Sequence, residues 1–427
     1  MLSYAAMRIG HCMQKRAKGI ACGCVRGGAR AASHSRRQIA SATGVTAVKK
    51  IVLIPDSFKG TMSSAEICGI MEKAIKKFYP ETDVICIPVA DGGEGSVDAF
   101  LTAVGGKKIT VSADNPYFNK MDAFYGKLSD GKTGVIEMAA CAGLPLVEDR
   151  RNPEKTTTFG VGALILRAIE DGCTKLIMGL GGSATNDGGC GAAAACGIKF
   201  IDKTGKEFIP TGGTLCDIEH IDSSGLHPSL KGIEIVTMCD IDNPLYGETG
   251  AAYVFGPQKG ADEKAVQRLD SGLRSLARIV ERDLHKDAAL MPGAGAAGGM
   301  GYGMNVFFDS KLQMGIETVL DTVKFDELVK DADCVFSGEG KIDTQSLRGK
   351  VVIGIARRTK KAGVPLIAVV GDIGDDIEAA YDTGVSAVFS INRVAVDYSR
   401  AKLRAKSDLR LTVENIMRFI ECIKARM

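Results

Sequence analysis

Several features that would place this chain in a common protein class are missing. Its 427 residues contain no apolar run of the eighteen or more residues that a membrane-spanning helix needs, so no membrane partner is expected. Of the 13 cysteines, the ten beyond residue 50 are scattered singly, and only His220, His227 and His285 lie beyond residue 50. The spacing therefore predicts no Cys/His zinc site, and buried free thiols in a reducing compartment account better for the cysteines.

Three motifs of well-known enzyme classes are also absent. No Gly-x-Ser-x-Gly elbow is present, which argues against a serine hydrolase. Gly349-Lys350 does not form a P-loop, because no glycine lies five positions earlier and Val351 replaces the required Ser or Thr. Residues 293–298 fit the dinucleotide-binding pattern, but no strand precedes them and residues 51–60 lack that pattern, which argues against an oxidoreductase. We interpret the glycine-rich residues 293–303 as a lid or hinge.

Acidic residues are absent from the first 50 positions, which hold ten Lys and Arg. The remainder has 44 basic and 51 acidic residues, a net charge of −7, and gives no reason to expect nucleic-acid binding. Residues 1–47 resemble an organellar transit peptide in composition but lack amphipathic periodicity. Because residues 48–51 look like a natural start, we favour a disordered leader or gene-model artefact at 1–47 and a cytoplasmic protein, with organellar import as the alternative.

The most informative segment is the glycine-rich stretch 181–189, Gly-Gly-Ser-Ala-Thr-Asn-Asp-Gly-Gly. It follows the apolar residues 176–178 and opens into the small-residue segment 190–197. A glycine-rich turn between a strand and a helix exposes backbone N–H groups at the positive end of the helix dipole, which favours phosphate. The hydroxyls, the amide and the carboxylate of this stretch could add a hydrated divalent cation. The combination indicates phosphoryl transfer.

Acidic or glycine-rich loops recur after four other predicted strands. In open α/β sheets, the crevice beyond the carboxyl ends of the strands binds the ligand, so we expect these loops to converge. Alternation of strands and helices over 51–110 and 330–390 predicts one doubly wound sheet split in sequence, and Ser63 with Glu66 predicts a capping box. The strand and loop pairs are 51–55 with 56–61, 84–89 with 91–95, 233–238 with 240–242, and 334–336 with 337–343.

Four of these segments resemble the signature sequences of the bacterial glycerate kinase family. They are residues 54–60, 90–95, 181–189 and 338–345, and the resemblance runs in family order from about Lys49 to the carboxyl terminus. It implies an ATP- and Mg²⁺-dependent kinase that phosphorylates D-glycerate, usually at the 2-hydroxyl, to give 2-phosphoglycerate and ADP. A kinase that forms 3-phosphoglycerate and a non-catalytic protein that binds a phosphorylated metabolite are the alternatives.

The resemblance also implies an α/β architecture of two domains with the active site in the cleft between them. A Rossmann-like doubly wound lobe, residues 48–113 plus 294–427, would be interrupted by a second α/β lobe, residues 114–293. Closure of such a cleft would exclude water and protect ATP from hydrolysis. The sequence leaves the choice between monomer and homodimer open.

Basic side chains in the motif loops are expected to offset the negative charge of the two substrates. Lys59 is the favoured contact to phosphate or carboxylate. Lys341, Arg348 and Lys350 are further candidates, and Glu339 is assigned with Lys341 and Lys350 to the ATP site.

Carboxylates are the expected ligands of Mg²⁺, which takes one or two of them together with several waters. Asp187 and Asp343 are the first choices, followed by Asp240. Asp91 or Asp56 could accept or orient the proton of the attacking hydroxyl, and Asp187 is counted with the catalytic residues. A helix cap or turn former is the competing interpretation, strongest for Asp56 and Asp187. We expect Asp187→Ala to abolish turnover and leave the fold largely intact.

The phosphate oxygens are expected to lie against the glycine-rich stretch itself. Ser183, Thr185 and Asn186 would join backbone amides around them, while Gly181 and Gly182 permit close approach of the backbone.

Overall fold

Strands and helices alternate through the computed structural model, which describes residues 48–89, 92–343 and 351–424. The predicted leader, 1–47, lies outside the described residues. The strands are β1 (Lys50–Leu53), β2 (Asp83–Cys86), β3 (Gly106–Asp114), β4 (Lys120–Leu128), β5 (Thr133–Glu137), β6 (Lys175–Gly179), β7 (Lys199–Asp202), β8 (Glu207–Phe208), β9 (Ile218–Asp222), β10 (Glu234–Met238), β11 (Lys311–Gln313), β12 (Cys334–Ser337), β13 (Lys341–Ile342), β14 (Leu366–Val370), β15 (Asp372–Ile373) and β16 (Val385–Ser390). The helices are α1 (Ser64–Lys76), α2 (Ser96–Val104), α3 (Ala139–Ala142), α4 (Phe159–Glu170), α5 (Cys190–Ala195), α6 (Ala251–Phe255), α7 (Glu263–Leu284), α8 (Ala296–Phe308), α9 (Gly315–Thr322), α10 (Phe325–Leu328), α11 (Val351–Ala362), α12 (Glu378–Thr383) and α13 (Tyr398–Lys424). Short 3₁₀ helices span Leu144–Arg150, Gly212–Asp217, Pro228–Leu230 and Pro257–Lys259.

A five-stranded sheet unites the two ends of the described chain. Its strand order is β2-β1-β12-β14-β16, and every neighbouring pair is parallel. The chain proceeds from β1 to β2 in one direction and from β12 to β14 and β16 in the other, so the order reverses between β1 and β12. Such a reversal opens a crevice beyond the carboxyl ends of the two strands, where open α/β sheets bind their ligands.

Both faces of this sheet are covered by helices, which explains the apolar sequence of its interior strand β1. Ile51 and Leu53 of β1 pack on one face with residues of α1 and α13. Val52, which points to the opposite face, packs with residues of α2, α9 and α11. A parallel sheet buried on both sides requires apolar residues at successive positions rather than alternation.

The six-stranded sheet has the order β11-β10-β6-β5-β4-β3. Strands β5, β6, β10 and β11 are parallel, and β4 and β3 extend the sheet antiparallel. Small residues let helices approach each other here, since a Cβ on Gly162 of α4 would come within 2.4 Å of the Ala192 carbonyl oxygen of α5. Two smaller sheets, β8-β7-β9 and β13-β15, complete the set in the described residues.

The structure confirms the α/β class and the parallel sheet split in sequence. It also confirms the capping box, since Ser63 Oγ accepts from Glu66 N and the Glu66 carboxylate accepts from Ser63 N. The predicted second lobe spans residues 114–293. The six-stranded sheet extends beyond both of these limits, because it includes β3 at 106–114 and β11 at 311–313. The division into two lobes stays a prediction. No helix among the described residues is long and apolar enough to cross a membrane.

Residues 293–303 do not form the expected lid. They lead into and begin α8, and most of them are buried. Gly298 and Gly299 adopt positive φ angles of 69° and 88° and pack against residues 185–188 of the glycine-rich stretch. A Cβ on Gly298 would come within 2.0 Å of the Thr185 carbonyl oxygen. The glycines of this segment therefore serve close backbone packing.

Candidate active site

A cavity of about 780 Å³ lies where the loops after β1, β6, β10 and β12 meet. Two of these strands flank the point at which the order of the five-stranded sheet reverses, and the other two are neighbours in the six-stranded sheet. The predicted convergence of the strand-end loops is therefore found in the described residues. The predicted site residues that line the cavity are Asp56, Lys59, Gly181, Gly182, Ser183, Asp240, Glu339, Lys341 and Asp343.

The loop after β1 carries Asp56 and Lys59 into the cavity. Asp56 N donates to the carbonyl oxygen of Gly338 at 2.8 Å, which ties this loop to the loop after β12. The Asp56 carboxylate accepts from Ser57 N at 2.6 Å and remains half-buried, whereas Lys59 is exposed. The carboxylate lines the cavity, and the competing interpretation of Asp56 as a turn former stays a prediction.

The loop after β12 contributes three charged residues to the cavity, of which one is buried and two are more accessible to solvent. Glu339 is buried, and Lys341 Nζ lies 4.0 Å from Asp343 Oδ2. Gly338 is required here because a Cβ would come within 2.0 Å of the Val369 carbonyl oxygen. Close packing against β14 therefore fixes where Lys341 and Asp343 enter the cavity.

The front half of the glycine-rich loop, residues 181–183, lines the cavity. Gly181 N donates to the Gly92 carbonyl oxygen at 2.9 Å, and a Cβ on Gly181 would come within 2.4 Å of the Cα of Gly93. Gly182 has a φ of 75°, which favours glycine. Ser183 Oγ donates to the Ala297 carbonyl oxygen at 3.3 Å. The loops after β2 and β6 therefore meet backbone to backbone, as only glycine allows.

The rear half of the loop, residues 185–187, is fully buried and does not line the cavity. The Asp187 carboxylate accepts from Thr158 N at 2.7 Å and from Thr158 Oγ1 at 2.8 Å. It also accepts from Gly189 N and Gly191 N, both at 3.2 Å. Burial raises the pKa of Asp187, while the hydrogen bonds from Thr158, Gly189 and Gly191 oppose that rise. Asp187 holds the start of α5 against α4.

Thr185 and Asn186 are also turned into the protein. Thr185 Oγ1 lies 3.1 Å from Ser183 Oγ, within the loop itself. The side-chain amide of Asn186 is buried, and neither its nitrogen nor its oxygen has a hydrogen-bond partner among the described residues. Neither residue lines the cavity, and their contacts with phosphate stay predictions.

Asp240 enters the cavity from the loop after β10. Its Oδ1 accepts from Gly315 N at 2.7 Å, at the first residue of α9. A Cβ on Gly315 would come within 3.2 Å of Asp240 Oδ2. The carboxylate is thus held by a helix start and remains at the cavity wall.

Known proteins are similar to this chain over most of its length. The sequence pattern of the glycerate kinase family matches residues 51–421. The chain belongs to the glycerate kinase family. The glycerate 2-kinase of Escherichia coli strain K12 is 44% identical over 343 residues, which cover 80% of this chain and 90% of that relative. The glycerate kinase of Halalkalibacterium halodurans is 42% identical over 367 residues, which cover 86% and 97% of the two chains.

A solved structure agrees with this family. The crystal structure described as glycerate kinase 2 from Salmonella typhimurium LT2 has a TM-score of 0.79 and 38% sequence identity, and it covers 88% of this chain and 100% of its own. The predicted resemblance to the glycerate kinase family and the predicted class of enzyme, a phosphotransferase, are confirmed.

Two predicted residues of this kinase family member lie outside the described residues. Asp91 lies between β2 and α2 in sequence, and Lys350 lies in the undescribed segment 344–350. Arg348, the further basic candidate, lies in the same undescribed segment as Lys350. Their predicted contacts with substrate or ATP stay predictions.

Lys259 lines the cavity, although the sequence analysis did not select it. It ends the 3₁₀ helix Pro257–Lys259, and its buried Nζ donates to the Thr185 carbonyl oxygen at 2.6 Å. Burial lowers the pKa of this ammonium group to about 7, against an opposing attraction from the Asp187 carboxylate. The available signal was one lysine in a Gly-Pro-Gln-Lys-Gly turn, which alone does not distinguish a buried lysine from a solvated one.

Proposed function

We propose that this protein transfers the γ-phosphoryl group of ATP to the 2-hydroxyl of D-glycerate, giving 2-phosphoglycerate and ADP. The observation that carries this proposal is the single cavity in which the front of the glycine-rich loop meets lysines and carboxylates from three other strand ends. The name of the Escherichia coli relative, a glycerate 2-kinase, favours the 2-hydroxyl over the 3-hydroxyl as the acceptor.

Positive charge at the cavity suits two anionic substrates. Glycerate brings a carboxylate and ATP a triphosphate, and phosphoryl transfer is accelerated mainly by positioning these groups and stabilising their charge. Lys59 and Lys341 line the cavity on the loops after β1 and β12, which adjoin at the reversal of strand order. The backbone N–H groups of Gly182 and Ser183 add donors, and the glycines let the backbone approach a ligand closely. We assign the triphosphate and the carboxylate to these groups.

The carboxylates of the cavity fit a requirement for Mg²⁺. No cluster of three or more potential ligands is found in the part of the chain that the structure describes. Magnesium usually binds through one or two carboxylates together with water and substrate phosphates, so such a cluster is not needed. Asp343 and Asp240 both line the cavity and would hold the ion, which would neutralise charge on the phosphates. Asp187, with its carboxylate oxygens bound to the protein, is better suited to supporting the loop.

Asp56 is proposed to orient the attacking hydroxyl or accept its proton. Its carboxylate is half-buried, lines the cavity, and is fixed by the backbone N–H of Ser57. General-base catalysis requires a carboxylate within hydrogen-bond reach of the hydroxyl proton. Asp91 is the other candidate for this role.

The proposed setting is the cytoplasm, with glycerate and ATP as the partners and with no nucleic acid or membrane. All ten cysteines of the described residues are free thiols, which suits a reducing compartment. We propose a monomer or a homodimer.

Phosphorus NMR of the reaction product tests the function. Purified protein is incubated with D-glycerate, ATP and Mg²⁺, and the expected product signal is that of 2-phosphoglycerate. A signal of 3-phosphoglycerate would keep the kinase and overturn the proposed position. Folded protein that yields neither product would contradict the proposal. Omission of Mg²⁺ with added chelator is expected to abolish the signal.

A further inference from the structure

Lys259 is a cation buried at the wall of the cavity. It exposes only 2% of its surface and is one of the largest fully buried side chains of the described residues. Removing an ammonium group from water is costly unless charged or polar partners replace its hydration shell. The position therefore requires an explanation that a surface lysine does not.

The protein itself provides few partners that could replace the hydration shell of the Lys259 ammonium group. An ammonium group carries three donors. Among the described residues, Lys259 donates a single hydrogen bond, to the Thr185 carbonyl oxygen, and forms no ion pair. The carboxylate of Asp187 attracts it but already accepts hydrogen bonds from Thr158 and two backbone N–H groups. Donor capacity is therefore left over at the cavity wall.

The backbone holds the lysine rigidly in this position. Gly260, which follows it, has a φ of 95°, and a Cβ there would come within 2.6 Å of the Arg151 carbonyl oxygen. Arg151 Nη1 donates to the carbonyl oxygen of Gln258 at 3.3 Å. The turn is thus anchored on both sides of Lys259. A rigidly held and buried donor is what an anionic ligand needs, because little reorganisation accompanies binding.

We propose that Lys259 is an anion-binding residue of the active site, whose ammonium group donates to an anionic oxygen of a substrate. This assignment rests on the proposed function and deepens it. The oxygen belongs either to the carboxylate of glycerate or to a phosphate of ATP, and both are oxyanions that a buried ammonium group binds well. Because Lys259 also holds Thr185 O, it joins the buried rear of the glycine-rich loop to the ligand in front of it.

Ligand binding is then coupled to proton uptake. In the free protein the pKa of Lys259 is about 7, so a fraction of the molecules carries a neutral amine at pH 7.5. An anion placed beside the amine raises its pKa, and the protein takes up part of a proton. The other titratable side chains at the cavity are Asp56, Lys59, Cys239, Asp240, Glu339, Lys341 and Asp343, and Asp187 lies behind Lys259.

Isothermal titration calorimetry of the full-length protein tests the assignment in two arms. D-glycerate is titrated in one arm, and a non-hydrolysable ATP analogue with Mg²⁺ in the other, at pH 7.5 in two buffers of different ionisation enthalpy. The variants are Lys259→Met, which removes the charge at similar length, and Lys259→Arg, which keeps it. Lys264→Met, at an exposed lysine in the first turn of α7, is the matched control.

We expect Lys259→Met to bind one of the two ligands at least tenfold more weakly and to lose the proton uptake seen with the wild-type protein. Lys259→Arg should recover part of the affinity, and Lys264→Met should behave like wild type. The arm that weakens identifies the source of the oxyanion. Circular dichroism of each variant checks that it is folded.

Two outcomes would overturn the assignment. One is a folded Lys259→Met protein with wild-type affinity for both ligands, and the other is reduced affinity with unchanged proton uptake, which a purely structural tether to Thr185 would produce. Product formation from D-glycerate by the wild-type protein is measured separately. A wild-type protein that binds the ATP analogue through Lys259 but does not phosphorylate glycerate would refute the proposed function and keep the anion site.

Discussion

The two halves of the glycine-rich loop after β6 are continuous in sequence and differ in almost everything around them. Residues 181–183 line the cavity, whereas residues 185–187 are fully buried behind it. The front half is mainly backbone, made accessible by glycine. The rear half carries a hydroxyl, an amide and a carboxylate that face the protein. Polar residues of a glycine-rich loop can therefore support the loop from behind without lining the cavity in front of it.

The contrast is sharpest between two aspartates that the sequence ranked together as magnesium ligands. Asp187 is entirely buried and accepts four hydrogen bonds of 3.2 Å or less from Thr158, Gly189 and Gly191. The Asp343 side chain is 29% exposed at the cavity wall, beside Lys341. The same residue type is thus buried among protein donors in one loop and lines the cavity in the other.

Removing the Asp187 carboxylate should have the largest effect on the fold. Asp187→Ala leaves buried donors of Thr158, Gly189 and Gly191 without an acceptor, so the free energy of unfolding should fall by about 4 kcal/mol. Urea unfolding followed by circular dichroism measures this change, with Asp217→Ala at an exposed position as the control. Loss of activity with unchanged stability would instead place the Asp187 carboxylate on a ligand.

Asp343→Asn should give the opposite pattern. We expect kcat/KM to fall about 100-fold, since a carboxylate that helps to hold charge in the transition state is lost. The free energy of unfolding should change by no more than about 0.5 kcal/mol because the side chain is partly exposed. Steady-state kinetics and urea unfolding of the same preparation check both parts. Near-wild-type kinetics would remove Asp343 from the magnesium site.

Lys259 predicts a dependence of stability on pH. Its pKa is lowered from 10.5 to about 7 in the folded protein, so between these values the unfolded chain binds more protons and stability rises with pH. Relative to Lys259→Met, the free energy of unfolding should rise between pH 7 and 10 with a slope of up to about 1.4 kcal/mol per pH unit. Urea unfolding at several pH values measures it. A flat difference would show that the amine is not desolvated.

Replacement of Asn186 should have the smallest effect on stability, and it tests the rear half of the glycine-rich loop alone. Its amide has no partner among the described residues, so replacement by leucine, of similar shape, should leave the free energy of unfolding unchanged or raise it by about 1 kcal/mol. Thermal or urea unfolding of Asn186→Leu measures the change. A marked loss of stability together with a weaker affinity for ATP would mean that the amide binds a ligand or an ordered water.

Local patterns were enough to predict the elements that build the cavity. The strand expected at 51–55 overlaps β1, the strand expected at 233–238 is β10, and the capping box begins α1 as its spacing required. Apolar runs and turn residues specify such elements from neighbouring positions. The convergence of the strand-end loops followed from a general property of parallel sheets.

Burial within the site depends on contacts distant in sequence, which no local pattern reveals. The buried Asp187 accepts a hydrogen bond from Thr158, which lies 29 positions earlier in the sequence. Lys259 donates to Thr185, from which it is separated by 74 positions. Residues 293–303 were expected to be a lid because of their glycines, yet Gly298 packs directly on Thr185. A glycine that permits motion and a glycine that permits close packing look alike in sequence.

A crystal structure with D-glycerate, a non-hydrolysable ATP analogue and Mg²⁺ tests the difference between the two halves of the loop most directly. We predict that both ligands lie in the cavity, with oxyanions within hydrogen-bond distance of the backbone N–H groups of Gly182 and Ser183 and of Lys259 Nζ. No ligand or metal atom should contact the Asp187 carboxylate. A magnesium ion or phosphate bound to Asp187, or ligands bound outside the cavity, would contradict the division into a binding front and a supporting rear.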